Sequence, residues 1–128
     1  MQIVGRTQMR QESVIIKSWT GGVRSGDWRA PWPFAKLKVT YEQLILSVML
    51  RGDLCFTKSD IDHFEIYRGA LPLIGRISRG IGVIHNKPEY PKRIIFWYFG
   101  DVEQLATDLI KMGFGSKAVA AKLPVLFA

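Results

Sequence analysis

Several features that define particular classes of protein are missing from this sequence. Cysteine occurs once in 128 residues, at Cys55, so the chain cannot form an internal disulfide bond and nothing requires an oxidising compartment. No run of about 18 or more apolar residues exists, which argues against a membrane-spanning helix. The first twelve residues contain no apolar stretch of signal-peptide length. We therefore expect a cytoplasmic protein, and peripheral attachment to a membrane stays open.

Recognisable motifs for chemistry are also missing. The densest group of potential metal ligands is Asp60, Asp62, His63 and Glu65. This group has neither a second histidine nor a cysteine at a known ligand spacing, and it does not match a calcium loop. His85 has no serine, cysteine or carboxylate at the spacing of a catalytic motif. We therefore expect no metal, no cofactor and no enzymatic activity.

The composition is that of a globular domain with an excess of positive charge. Hydrophobic residues make up 48% of the chain and charged residues 23%, so there is enough apolar surface for one core. The net charge is +7, and residues 1–38 alone carry seven Lys and Arg against two acidic residues. A basic balance favours anionic partners such as phospholipid headgroups, nucleic acid or acidic proteins, although it also serves solubility alone.

Alternating apolar and polar residues indicate strands over much of the chain. Leu37 and Val39 alternate with lysines, and the alternation resumes from Leu44 to Leu50, which predicts a hairpin with one apolar face. Glycines and prolines make residues 20–33 a predicted loop. Further strands are predicted at residues 13–19, 54–56, 62–67, 73–85 and 93–99. The last of these is apolar on both faces, so we expect the following segment to cover its second face.

That following segment carries the signals of a helix over about residues 101–112. Its apolar stripe at helical spacing consists of Val102, Leu105, Leu109 and Met112. Asp101 is the predicted N-cap, with Gln104 as its capping-box partner. Gly113 followed by Phe114 predicts a helix end of the Schellman type.

This order of elements resembles that of pleckstrin-homology-like domains, particularly the uncharacterised bacterial members and the related GRAM modules. The segments WPFAKLKVTYEQLILSV and HNKPEYPKRIIFWYF…DVEQLATDLIKMGF carry the resemblance, which covers residues 13–114. It implies a mainly β fold, with about seven strands in a bent two-layer barrel and one C-terminal capping helix. Residues 1–12 then form an N-terminal segment, and residues 115–128 an apolar tail that packs on the domain or binds a partner.

The resemblance also implies a set of ligand-binding residues. Phosphoinositide-binding members use basic residues on the first two strands and the loop between them. Trp28 and Trp32 lie within the same segment, where aromatic rings can insert at a bilayer interface, stack on a base, or simply pin the loop to the barrel. The predicted ligand-binding residues are therefore Lys17, Arg24, Trp28, Arg29, Lys36 and Lys38.

The function that follows is a non-enzymatic binding or adaptor module whose partner is a protein or an acidic membrane surface. A basic nucleic-acid-binding domain is an alternative, ranked lower because no RNP, KH or helix-turn-helix signature is present. A self-assembling structural domain is a second alternative, with edge strands or the tail joining copies into a homo-oligomer. The sequence identifies neither the ligand nor the pathway.

Overall fold

The structure, a computed structural model, describes residues 14–26, 28–68 and 79–121. In chain order its strands are β1 (Lys17–Ser25), β2 (Trp28–Val39), β3 (Gln43–Val48), β4 (Gly52–Thr57), β5 (Ile61–Arg68), β6 (Arg79–His85), β7 (Arg93–Trp97) and β8 (Ala118–Ala121). A 3-10 turn (Lys58–Asp60) separates β4 from β5, and the helix α1 (Val102–Lys111) separates β7 from β8. The predicted segment 1–12 and the first half of the predicted strand 73–85 lie outside the described residues.

All eight strands belong to one sheet, in the order β4-β3-β2-β1-β7-β6-β5-β8. Neighbouring strands are antiparallel except for the parallel pair of β5 and β8. The prediction of a mainly β chain with a C-terminal helix is confirmed, and the described residues form eight strands in place of about seven. The additional strand, β8, comes from the predicted apolar tail.

The predicted loop over residues 20–33 is wrong, because this segment forms most of the β1–β2 hairpin. The chain reverses at Gly26, which has a φ of 58°. Gly21 is required by a close approach of two strands, since a Cβ there would lie 1.9 Å from the carbonyl oxygen of Trp97 on β7. The register between β1 and β2 shifts between Gly21 and Val23, and in the same region β1 pairs with β7 on its other side.

Helix α1 forms where it was predicted, with one difference in its cap. The Asp101 side chain accepts hydrogen bonds from the backbone N–H groups of Glu103 and Gln104, both at 3.0 Å. The predicted capping-box contact of Gln104 is wrong, because its side-chain amide donates instead to Asp108, at 2.9 Å.

The predicted Schellman end of α1 is confirmed. Gly113 has a φ of 98°, and its N–H donates to the carbonyl of Ile110 at 2.9 Å. The N–H of Phe114 donates to the carbonyl of Leu109 at 3.0 Å, and the Phe114 ring is buried.

The two faces of β7 are covered by different parts of the chain. Phe96 faces the main core, where the buried residues of α1 also pack. Ile95 lies on the opposite face in a small cluster with Tyr67 of β5, flanked by Trp97 and Ala121. The expectation that the helix covers this second face is therefore wrong, since side chains of β5 and β8, which lie further along the same sheet, pack there.

The outer edge of β4 is covered by the loop before β7. The backbone N–H of Cys55 donates to the Tyr90 hydroxyl at 3.2 Å, and its carbonyl accepts from Lys87 Nζ at 3.1 Å. Such contacts prevent an edge strand from pairing with another chain. Cys55 itself is half-buried, and this burial raises the pKa of its thiol, which makes it a poor nucleophile.

Candidate functional site

Four of the six predicted ligand-binding residues share the outer face of the β1–β2 hairpin. Arg24 lies directly opposite Arg29 in the strand register. Lys36 and Lys38 follow on β2, where the intervening Leu37 is buried in the core. Because side chains alternate along a strand, the lysines point away from the core. We call Arg24, Arg29, Lys36 and Lys38 the basic face.

The other two predicted residues do not lie on the basic face. Lys17 Nζ donates to Asp108 of α1 at 2.9 Å and lies 5.4 Å from the ring centre of Trp19. The Trp28 ring is half-buried against the core, and the Arg51 guanidinium lies 5.3 Å from its centre. Both residues therefore have structural contacts that explain their positions.

The basic face brings like charges together. Cationic side chains directly opposite each other on neighbouring strands destabilise a sheet, so the Arg24–Arg29 pair is unfavourable for the pairing of β1 with β2. Arg29 Nε donates to the carbonyl of Gly26 at 3.2 Å. Both arginines line an open pocket of about 370 Å³ next to the Trp97 ring. Two guanidinium groups at one open pocket form a site that suits an anionic partner.

A group of exposed apolar side chains lies next to the basic face, and of its members only Trp32 was predicted to bind. Four consecutive residues of β2, numbers 31–34, are exposed where the strand bulges opposite Gly22. The β3–β4 turn and the residue Phe99 after β7 contribute the rest. We call the following side chains, with their exposed fractions, the apolar tip: Trp32 (51%), Phe34 (43%), Met49 (57%), Leu50 (98%) and Phe99 (59%).

The apolar tip consists of two groups of side chains, which β2 joins because it contributes one residue to each. The rings of Trp32 and Phe99 have their centres 5.6 Å apart. Phe34, Met49 and Leu50 line one open pocket of about 290 Å³, together with Arg29 of the basic face. The apolar tip and the basic face are therefore adjoining surfaces.

The predicted position of Leu50 on the buried face of its strand is wrong. The pattern from Leu44 to Leu50 placed all its even-numbered residues on the buried face, yet β3 ends at Val48 and Leu50 is almost fully exposed. Leu50 has a φ of 68°, the left-handed conformation that glycine and asparagine adopt readily. The sequence indicated this unusual turn by placing two apolar residues, Met49 and Leu50, directly before Arg51 and Gly52, where a turn commonly has polar residues.

The acidic group that could have held a metal has local structural roles instead. Asp60 accepts a hydrogen bond from the Thr57 backbone N–H at 2.8 Å, and this bond lowers the pKa of the Asp60 carboxyl. Asp62 is paired with the neighbouring His63 at 2.5 Å. In the described part of the chain, no three His, Cys, Asp or Glu side chains are placed to hold a metal ion.

Glu65 and His85 are likewise engaged by neighbours. One oxygen of Glu65 accepts from the Tyr67 hydroxyl at 2.5 Å and from Arg93 Nε at 2.9 Å. Burial and this bond raise the pKa of the Tyr67 phenol. His85 Nε2 bonds to the carbonyl of Pro91 at 2.6 Å, and its Nδ1 accepts from a backbone N–H at 3.0 Å. These side chains position strands and loops.

Comparison with known proteins leaves the site to be interpreted from its own geometry. No protein-family model matches the chain, and no curated protein matches it in sequence. Within the described residues, no helix has both the length and the apolar character needed to cross a membrane.

Proposed function

We propose that this domain is a non-enzymatic binding module with a pleckstrin-homology-like scaffold, and that it attaches to anionic membrane surfaces through the basic face. The order of the elements supports the scaffold: seven antiparallel strands precede one helix, whose apolar side packs into the core. In such a scaffold the sheet and helix fix the position of a binding surface, and binding at that surface requires no catalytic group.

The observation that carries the proposal is the placement of four cations on one face of two adjacent strands. A lysine or arginine near an anionic lipid surface contributes on the order of 1 kcal/mol to binding. Four of them acting together contribute on the order of 4 kcal/mol, which corresponds to a dissociation constant of about 1 mM and so to weak, reversible attachment.

The apolar tip favours a membrane over nucleic acid as the partner. Proteins that bind single-stranded nucleic acid without sequence preference place aromatic rings on the surface that contacts the bases. Here the residues that adjoin the cations include the aliphatic side chains of Met49 and Leu50, which bases do not require. A bilayer accommodates both aliphatic and aromatic side chains beside cationic ones.

The test is co-sedimentation with vesicles of phosphatidylcholine alone and of phosphatidylcholine with phosphatidylserine, at low and physiological salt. The informative variant is Lys36→Glu with Lys38→Glu. Its matched control is Lys111→Glu with Lys117→Glu, which changes the net charge equally but lies on neither β1 nor β2.

We expect binding to the anionic vesicles only, weakened by salt. The variant in the basic face should bind at least about tenfold more weakly, since it removes two cations and adds two anions, while the control keeps most of its affinity. Equal losses of affinity in both double variants would mean that binding depends on net charge and not on the basic face, which would contradict the proposal. Binding to duplex DNA without binding to vesicles would replace the proposal with the nucleic-acid alternative.

A further inference from the structure

We propose that the apolar tip inserts into the acyl region of an anionic bilayer, so that the domain is anchored by apolar burial as well as by charge. This inference rests on the proposed function and specifies the depth and orientation of binding. Its occupant is the lipid bilayer, because the tip projects from the sheet and adjoins cations that complement anionic headgroups.

Part of the backbone of the apolar tip needs no hydrogen bond from water. A polar backbone group that enters hydrocarbon without a partner is costly. Pro31 and Pro33 have no N–H to satisfy. In the turn, the N–H of Met49 donates to the carbonyl of Phe34 and the N–H of Arg51 to that of Val48, both at 3.0 Å. Two N–H groups of this backbone are therefore absent, and two are bonded within the chain.

Leu50 is the foremost side chain of the apolar tip. A leucine that is 98% exposed contributes nothing to the core, and its left-handed backbone conformation is unfavourable for a residue with a branched side chain. Glycine or asparagine would satisfy the turn at lower conformational cost. An exposed leucine in this conformation is explained when the side chain is buried in a partner.

The cations lie where headgroups would be when the tip is inserted. Arg29 lines the pocket formed with Phe34 and Leu50, and it also lines the pocket beside Trp97. Aromatic rings such as that of Trp32 are stable at the level of the headgroups. Leu50 in the acyl region therefore places Arg29 near the lipid phosphates.

The experiment combines vesicle partitioning with tryptophan quenching. Vesicles of phosphatidylcholine and phosphatidylserine are prepared with and without bromine atoms on the phosphatidylcholine acyl chains. The test variant is Leu50→Ser, with Trp32→Phe to assign the quenched ring. The matched control is Ile15→Ser, an exposed aliphatic residue before β1, at the end of the hairpin that is remote from the turn at Gly26. Circular dichroism confirms that each variant is folded.

We expect brominated acyl chains to quench the wild-type fluorescence and Trp32→Phe to lose most of this quenching. Leu50→Ser should lower the partition coefficient on the order of tenfold, which is about the effect of burying one leucine side chain, and Ile15→Ser should leave it unchanged.

Anionic vesicle binding without quenching, and unaffected by Leu50→Ser, would overturn insertion while the proposed function stands. Absence of any vesicle binding would overturn both. If the domain self-associates and Leu50→Ser abolishes this self-association, the apolar tip binds a second copy of the chain, and insertion into the bilayer is overturned.

Discussion

At the residue scale, the backbone conformation of Leu50 lowers the stability of the fold, and we propose that the residue serves binding instead. The left-handed conformation costs an ordinary L-residue roughly 1–2 kcal/mol, and asparagine tolerates it better because its short polar side chain bonds locally. No buried contact offsets this cost in the domain, since the side chain is almost fully exposed.

Replacing Leu50 with asparagine should therefore stabilise the domain. We expect Leu50→Asn to raise the free energy of unfolding by about 0.5–1 kcal/mol in urea denaturation. The control Met49→Asn, at a neighbouring position without a positive φ, should lie within about 0.5 kcal/mol of the wild type. A loss of stability in Leu50→Asn would mean that the leucine packs on the domain in solution, which contradicts its assignment to the apolar tip.

At the scale of the elements, one ion pair ties helix α1 to strand β1. Lys17 Nζ contacts Asp108 at 2.9 Å, and the hydrogen bond from Lys17 is the main cause that lowers the pKa of the Asp108 carboxyl below its ordinary value of 3.8. The Gln104 amide contributes a second bond. A carboxyl whose pKa is lower in the folded state stabilises the fold above its unfolded pKa and loses this contribution as pH falls through the folded value.

Asp108→Asn should therefore lower stability at neutral pH and not in acid. Because Lys17 is about half exposed, we expect a loss of no more than about 1 kcal/mol at pH 7. The difference from the wild type should shrink as pH falls below 3.8. Lys17→Gln should give a similar loss, and the double variant should lose less than the sum of the two. A difference that persists unchanged in acid would show that the pair does not act through its charge.

The elements that the sequence predicted well are those whose signals are local. The stripe from Val102 to Leu109, the Asp101 cap and the Gly113 end all lie within a few residues of the helix that they define. The β2–β3 hairpin is likewise defined by adjacent residues. By contrast, Gly21 was interpreted as part of a loop, because the strand that comes close to it, β7, lies more than seventy positions later in the chain.

The candidate site was predicted only in part for the same reason. Alternation around Leu37 places Lys36 and Lys38 on the outer face, so half of the basic face follows from local pattern. The placement of Lys17 against Asp108 depends on where α1 packs. The apolar tip depends on the meeting of three segments distant in sequence, which no single pattern encodes.

At the scale of the whole molecule, the described residues divide into surfaces with different properties. The outer face of the β1–β2 hairpin carries cations, and the adjoining turn and bulge carry the apolar tip. Helix α1 packs its buried residues into the core, and strand β8 lies at the far end of the sheet from β4. Binding by the basic face and the apolar tip together therefore predicts one orientation of the domain on a membrane.

The measurement that tests this orientation most directly is a map of backbone amide signals by NMR as nanodiscs of phosphatidylcholine and phosphatidylserine are added. We expect signal changes concentrated in residues 24–38, 48–51 and 97–99, with α1 and β8 unaffected, and no changes with phosphatidylcholine nanodiscs alone. Changes centred on α1 or β8, or the absence of changes with anionic nanodiscs, would contradict the account.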